Sequence, residues 1–173
     1  MKKPLRLALP LLALSLSAHA AELRIDFEIP RLAVAEYHRP YVAVWIEGAE
    51  AGKPSFTPLA VLYDAKKKNQ EGNQWLKDLR QWWRRGGREL DMPVDAITAA
   101  TPAVGKQRLR IAASDSRIAA LPRGDYRLVV EAVREVGGRE LVALPFAWPP
   151  KEALRSETSG GQELGAVTLE LVP

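Results

Sequence analysis

The sequence contains no cysteine and only two histidines among its 173 residues. The absence of cysteine excludes disulfide bonds, thiolate zinc sites, cysteine nucleophiles and the attachment of a c-type haem. No glycine-rich phosphate loop follows a predicted strand, so neither a Rossmann nor a Walker nucleotide site is expected. What remains is a chain that is 47% hydrophobic and 27% charged, which is typical of a globular domain with a core.

The first twenty residues have the features of an export signal. Lys2, Lys3 and Arg6 form a basic start, and the apolar run Leu7 to Leu16 follows. Ala18-His19-Ala20 then supplies the small-x-small pattern that a signal peptidase recognises. That run is shorter than the roughly 20 apolar residues of a membrane-spanning helix. We therefore expect residues 1–20 to be a signal peptide cleaved after Ala20. Residues 21–173 should then form one periplasmic domain without a transmembrane segment.

Removal of this leader changes the overall charge. The chain has 25 basic and 21 acidic side chains, and the leader holds three of the basic ones and no acid, which leaves 22 against 21. A net charge of +1 gives no electrostatic basis for binding nucleic acid. His38 is the one histidine left in the mature chain, so a metal centre built from several imidazoles is excluded.

Apolar and polar residues alternate in several short runs. In residues 21–29, Leu23, Ile25, Phe27 and Ile29 share one face, which is the period-two pattern of a half-buried strand. Further strands are predicted at 41–47 (apolar on both faces, hence central), 59–63, 107–111, 126–133, 139–146 and 164–172. Positive-φ glycines, Gly137-Gly138, are expected in the tight turn before the sixth strand, and loops are expected at 48–58 and 156–161. The pattern predicts an all-β fold, an immunoglobulin-like antiparallel β-sandwich.

A block at about residues 73–101 interrupts this β pattern and is predicted to be a helical insertion. Its apolar stripe consists of Trp75, Leu76, Leu79, Trp82 and Trp83. Arg84 and Arg85 follow at the basic end of the predicted helix, and Gly86-Gly87 terminates it. A second short turn is predicted from Val94 to Ala100.

Two roles are open for the tryptophans of the insertion. They can pack against the sheet, or they can stack a planar ligand whose phosphate pairs with Arg84, Arg85 or Arg88. Because neighbours on a helix diverge by about 100°, Trp82 and Trp83 cannot both point inward. The function is expected to lie in this block.

Several strings resemble one exported family. YVAVWIEG, WLKDLRQWWRRGGRELD, DAITAATP and LPRGDYRLVVEAVREVGGRELVALPF together are similar to the family catalogued as domain of unknown function twenty-two seventy-one. The resemblance covers nearly all the mature chain and implies a periplasmic protein encoded near PepSY-type membrane reductases and iron-uptake receptors. Leu121, Pro122, Gly124 and Tyr126 also resemble a step in the immunoglobulin-like domain of flagellar hook-capping proteins, which implies a fold and no function.

A second resemblance concerns chemistry. Asp95, Thr98, Ala100 and Thr101 match the acceptor motif of covalently flavinylated exported proteins, D-x-x-[ST]-G-A-[ST], while Ala99 replaces the usual glycine. The resemblance implies FMN joined through its phosphate to the Thr101 hydroxyl by an FMN transferase. The alternative is that both threonines cap or end a short helix. The candidate cofactor-binding residues are Thr101, Asp95, Thr98, Trp75, Trp82, Trp83, Arg84 and Arg85.

Three functional hypotheses follow. The first is a periplasmic accessory or binding protein of a membrane redox or iron-acquisition system, carrying FMN and partnered by a PepSY-type membrane reductase. The second is a non-catalytic protein–protein interaction module that docks a partner through a sheet edge or the tryptophan block. An exposed apolar patch around Trp83 without a pocket would favour it. The third is a hydrolase that uses His38, which requires a hydroxyl from Ser55, Ser114 or Ser116 within hydrogen-bond reach. Binding is preferred to catalysis, and no catalytic residue is assigned.

Overall fold

The computed structural model describes residues 22–50 and 53–172, apart from the side chains of residues 49, 50 and 53. The predicted signal peptide and its cleavage site lie outside these residues. The described strands are β1 Glu22–Ile29, β2 Tyr41–Glu50, β3 Lys53–Leu62, β4 Thr98–Ala99, β5 Gly105–Ala112, β6 Gly124–Val133, β7 Arg139–Trp148, β8 Leu154–Ser159 and β9 Ala166–Val172. The α-helices are α1 Arg80–Arg85 and α2 Ser116–Ala119, and 3₁₀ helices span Lys68–Asp78 and Gly87–Glu89.

The strands form two sheets that pack face to face. One sheet has the order β5-β1-β9-β8 and the other has the order β4-β3-β2-β6-β7. The pairings are antiparallel except for the short parallel contact between β3 and β4. Apolar side chains from both sheets, among them Phe27, Val44, Val130 and Leu169, form the core between them. The predicted β-sandwich with a helical insertion is confirmed.

The two strands with the strongest sequence patterns lie where they were predicted. In β1, Leu23, Ile25 and Phe27 are buried while their neighbours stay partly exposed. β2 lies between β3 and β6, and both its faces are apolar because each one packs into a core. One face, including Val44, points into the sandwich core, and the other, including Trp45, points into a second core beneath the insertion.

The two predicted loops at 48–58 and 156–161 are wrong over most of their length, because strand pairing extends into them. β2 and β3 continue as a hairpin, and Pro58 is accommodated at a β-bulge where Trp45 pairs with Pro58. β8 pairs with β9 along its whole length. Cross-strand contacts such as the Arg155–Glu170 ion pair allow a polar segment to serve as an edge strand.

The turn between β6 and β7 differs from its prediction in one detail. Val136, rather than Gly137 or Gly138, adopts the positive φ, at 53°. The glycines are needed for close approach instead: a Cβ on Gly137 would lie 2.4 Å from the Arg134 guanidinium carbon, and one on Gly138 would lie 2.8 Å from Glu163 Oε1. Side chains pack directly onto the turn backbone, and this packing positions the turn.

The continuous helix predicted from residue 73 is also wrong. The segment is divided into the end of a 3₁₀ helix, which stops at Asp78, and α1, which is only six residues long. Leu76, Leu79 and Trp82 are buried at a spacing of three across this break, and Trp75 is left 41% exposed. The predicted turn after Val94 ends in β4, which pairs with β3. The insertion therefore covers the outer face of the second sheet.

Candidate functional site

A cleft of about 620 Å³ lies where β2 begins, β6 ends and β7 begins. The insertion forms one wall, and the segment that precedes β2 forms another. The residues that matter most for its chemistry are Tyr37, His38, Arg39, Arg80, Trp75 and Thr101. The volume falls within the range of roughly 300–1,000 Å³ that is common for small-molecule sites.

Backbone pairing places Thr101 on the wall of this cleft. Val61 N donates to Ile97 O at 2.6 Å and Tyr63 N donates to Ala99 O at 3.0 Å, which fixes the chain just before Thr101. The Thr101 hydroxyl then donates to Asp64 Oδ1 at 3.4 Å. The hydroxyl is half-buried and held by a neighbour, while its side chain lines the open space.

The cleft has two guanidinium groups that no carboxylate neutralises. Three of its other cations are paired: Lys67 with Asp64, Arg134 with Glu163 and Arg139 with Glu131. Within the described ranges, Arg39 and Arg80 form no ion pair. Arginine binds phosphate and carboxylate groups through paired hydrogen bonds, so these two side chains favour an anionic ligand, although the carboxylates of Asp78 and Glu135 line the same cleft.

Aromatic and apolar side chains surround the cleft opening. Tyr37 is 37% exposed, Trp75 is 41% exposed and Val136 is 83% exposed, and all three line the cleft. Deeper in, burial and the charge of Asp64 raise the pKa of Tyr41 to about 12, so its phenol stays protonated at neutral pH. Exposed rings beside guanidinium groups suit a planar ligand that carries negative charge.

His38 lies in the same cleft, but its partners are carboxylates. Nδ1 lies 3.5 Å from Glu135 Oε2, and Nε2 lies 3.0 Å from Glu36 Oε1 without good hydrogen-bond geometry. No serine is among the described residues that line the cleft, and Ser114 lines a different groove. Among the described residues, His38 forms no hydrogen bond with a serine hydroxyl.

The candidate cofactor residues are only partly brought together. Trp75 and Thr101 line the cleft, whereas Asp95 is exposed on a turn and Thr98 Oγ1 accepts a hydrogen bond from Val94 N at 3.0 Å. The hydroxyl of Thr98 therefore stabilises the local turn that precedes β4.

The other four candidates lie away from the cleft. Trp82 is fully buried, and Trp83 is half-buried with its ring 6.4 Å from that of Trp82. Arg84 donates to Gln81 Oε1 at 2.6 Å, and Arg85 pairs with Glu47 at 3.2 Å. Among the described residues, the exposed patch around Trp83 that would favour the interaction-module hypothesis is therefore not formed.

Several cleft residues were not identified from the sequence. The string Tyr37-His38-Arg39-Pro40-Tyr41 interleaves aromatic and basic residues, and this was the one local signal for the site. Arg80 gave no signal, because a basic residue on the polar side of a predicted helix is expected in any case. Among the described residues, no group of His, Asp and Glu side chains could hold a metal ion. In the same ranges, no helix has the length and apolar character needed to cross a bilayer.

Comparison with known proteins gives one match. The model of a family described as "Predicted periplasmic protein (DUF2271)" matches residues 22–166, which is most of the chain and includes every residue of the cleft. No curated protein and no solved structure matches the sequence.

Proposed function

Because the chain belongs to this family of predicted periplasmic proteins, we propose that it is a periplasmic accessory protein that carries FMN on Thr101. The observation that supports this most is that the Thr101 side chain and the exposed ring of Trp75 line one cleft. An acceptor hydroxyl and a stacking surface are the two protein groups that a phosphate-linked flavin needs.

The residues present fit such a group. Arg39 and Arg80 supply positive charge for the phosphate and for the polar edge of the ring, and Trp75 and Tyr37 offer exposed aromatic faces. The volume of about 620 Å³ is adequate for a cofactor of this size.

The replacement of the motif glycine by Ala99 does not argue against this fit. Ala99 lies in β4 and is exposed, so its backbone is extended and its methyl group faces solvent. The residue of the motif that adopts a positive φ is Ala96, at 65°. A glycine at position 99 would therefore relieve no strain in this chain.

Attachment would use the Thr101 hydroxyl, FAD as the flavin donor and an FMN transferase as the catalyst. The Thr101 Oγ1–phosphorus bond forms, the phosphoanhydride bond of FAD breaks, AMP leaves and the hydroxyl proton passes to a base of the FMN transferase. Before attachment, Asp64 accepts the hydrogen bond of this hydroxyl and so fixes the direction of its oxygen. Once bound, FMN supplies reversible electron transfer, and the cleft residues bind it, orient it and limit its contact with water.

The resemblance to proteins encoded near PepSY-type membrane reductases favours one setting for this chemistry. In our proposal the protein exchanges electrons with such a reductase at the periplasmic face of the membrane, in a redox or iron-acquisition system. The cleft opening, where Tyr37, Trp75 and Val136 are exposed, is where a partner would reach the flavin.

Co-expression with an FMN transferase tests the proposal. We expect the intact mass to increase by that of FMN less one water in the wild-type protein and in Thr101→Ser, which keeps the hydroxyl. Thr101→Ala should stay unmodified, whereas Thr158→Ala, a control on β8 outside the cleft, should be modified as the wild type is. An unmodified wild-type mass, or modification that survives in Thr101→Ala, would refute the proposal.

A further inference from the structure

The strand β5 forms an open edge of the first sheet. All eight of its residues pair with β1, and β1 is its one neighbour in the described sheet. The backbone groups that point away from β1 therefore have no strand partner. The inward-facing Gln107 and Leu109 remain half-buried, because no strand lies beyond them to complete the core.

Other edges of the sandwich are covered or interrupted. The edge of β3 is covered by β4 and by the Arg117 guanidinium, which donates to the carbonyl oxygens of Leu59 at 3.2 Å and Pro58 at 3.4 Å. β7 contains Pro145, which discourages further strand pairing. β8 places Ser156 and Thr158 on its inner face, so it offers an added strand little apolar surface. β5 contains no proline, and Leu109 and Ile111 lie on its inner face.

The outward face of β5 has an excess of positive charge. Lys106, Arg108 and Arg110 alternate along it and are all exposed. Asp26 lies 3.0 Å from Arg110 Nη1 and 4.0 Å from Arg108 Nε, so one carboxylate serves two arginines. Lys106 lies opposite Glu28 of β1, but in the part of the chain that the structure describes it forms no ion pair. Added carboxylates on this face would be electrostatically favoured.

An apolar groove lies on the opposite side of the same edge. It has a volume of about 370 Å³ and runs between β5 and the edge of the second sheet, where Leu59, Ile97, Leu109 and Ile111 contribute to its lining. An added strand would project alternate side chains into this groove and onto the basic face, because strand side chains alternate with a period of two.

We propose that β5 binds an extended segment of a partner protein in which acidic residues alternate with apolar ones. The segment would pair its backbone with the free edge of β5, place its carboxylates beside Lys106, Arg108 and Arg110, and bury its apolar side chains in the groove. This surface shares no residue with the Thr101 cleft, so the inference does not depend on flavin attachment.

A synthetic peptide tests the proposal directly. The probe is a short, capped and fluorescently labelled peptide of alternating glutamate and valine, titrated against the purified protein at about 50 mM salt, where surface charges are weakly screened. We expect saturable binding that weakens with salt, and amide shifts in β5 on NMR titration. A peptide of the same composition with its glutamates in one block should bind at least roughly tenfold more weakly, because it cannot satisfy both faces.

Two charge-reversed proteins provide the matched control. Lys106→Glu with Arg108→Glu should weaken peptide binding roughly tenfold, since two attractions become repulsions. Lys66→Glu with Lys68→Glu makes the same change in net charge at exposed sites away from β5 and should leave binding unchanged. No binding, equal binding of the two peptides, equal effects of the two double variants, or amide shifts that spare both β5 and the groove would each overturn the proposal.

Discussion

Replacing Glu131 with glutamine should loosen the insertion from the sheet. Glu131 lies on β6, is completely buried and accepts hydrogen bonds from Gln81 N at 3.1 Å and Trp82 N at 2.8 Å. Helix α1 has no side-chain cap of its own, so this carboxylate does the work of an N-cap from a distant strand. Its Oε1 also accepts from Arg139 Nε at 2.9 Å.

The expected cost follows from what the amide cannot do. Glutamine offers one acceptor oxygen, and its NH₂ group would face the donors that the carboxylate satisfied. Hydrogen bonds to a charged group contribute about 1.5–3 kcal/mol each, and breaking a buried ion pair costs about 3–5 kcal/mol. Because Arg139 is partly exposed and can recover solvent, we expect Glu131→Gln to lower the free energy of unfolding by about 2–4 kcal/mol.

Urea unfolding followed by tryptophan fluorescence measures this change, and amide hydrogen exchange over residues 80–89 locates it. Glu152→Gln makes the same chemical change at an exposed position and should alter stability by less than about 0.5 kcal/mol. A loss below about 1 kcal/mol for Glu131→Gln, or unchanged exchange in α1, would contradict the assignment of this carboxylate as the anchor of the insertion.

Three further predictions concern the two cores and the loop supports. Trp82→Ala should lower the free energy of unfolding by about 3–5 kcal/mol because the ring is fully buried. Trp75→Ala should lower it by less than about 1 kcal/mol. Similar values for the two variants in a denaturant titration would contradict the assigned burial. Glu163→Gln should cost about 3 kcal/mol or more, since it leaves the Arg134 guanidinium buried and unpaired; a neutral result in the same titration would show that solvent reaches the pair. Burial acts to raise the pKa of Glu140, but hydrogen bonds from four backbone N–H groups outweigh it and lower the pKa below the ordinary value. The unfolded state therefore binds a proton at Glu140 more readily than the folded state does. The stability difference between wild type and Glu140→Gln should be largest above about pH 5 and should shrink as the pH falls through the folded-state pKa. A difference that grows on acidification would contradict this prediction.

The sandwich could be predicted because its strands carry their own pattern. β1 alternates without interruption and β2 is apolar on both faces, so strand type and central position follow from local sequence. The insertion could not be predicted in the same way. Its aromatic stripe fits α-helical spacing, and the three-residue spacing of its buried side chains becomes visible only once the sheet beneath them is known. Glu131 shows the same limit, because a single glutamate in an alternating strand gives no sign that it caps a helix some 50 residues away.

The candidate site was predictable where a motif existed and not where only geometry defines it. Thr101 and Trp75 came from a motif match and an aromatic block, and both line the cleft. Arg39 and Arg80 come from segments far apart in sequence, and chain folding alone brings them to one opening. Trp82 and Arg85 lay in the same block as Trp75, yet Trp82 fills a core and Arg85 pairs with Glu47.

The most direct test of the central claim is the intact mass of the protein isolated from its native periplasm, with the visible absorbance of the same sample. Our account predicts a flavin spectrum that persists after denaturation, and a mature chain that is heavier by one FMN less one water, with the added mass on the peptide that contains Thr101. A colourless protein with the mass of the unmodified chain would contradict it.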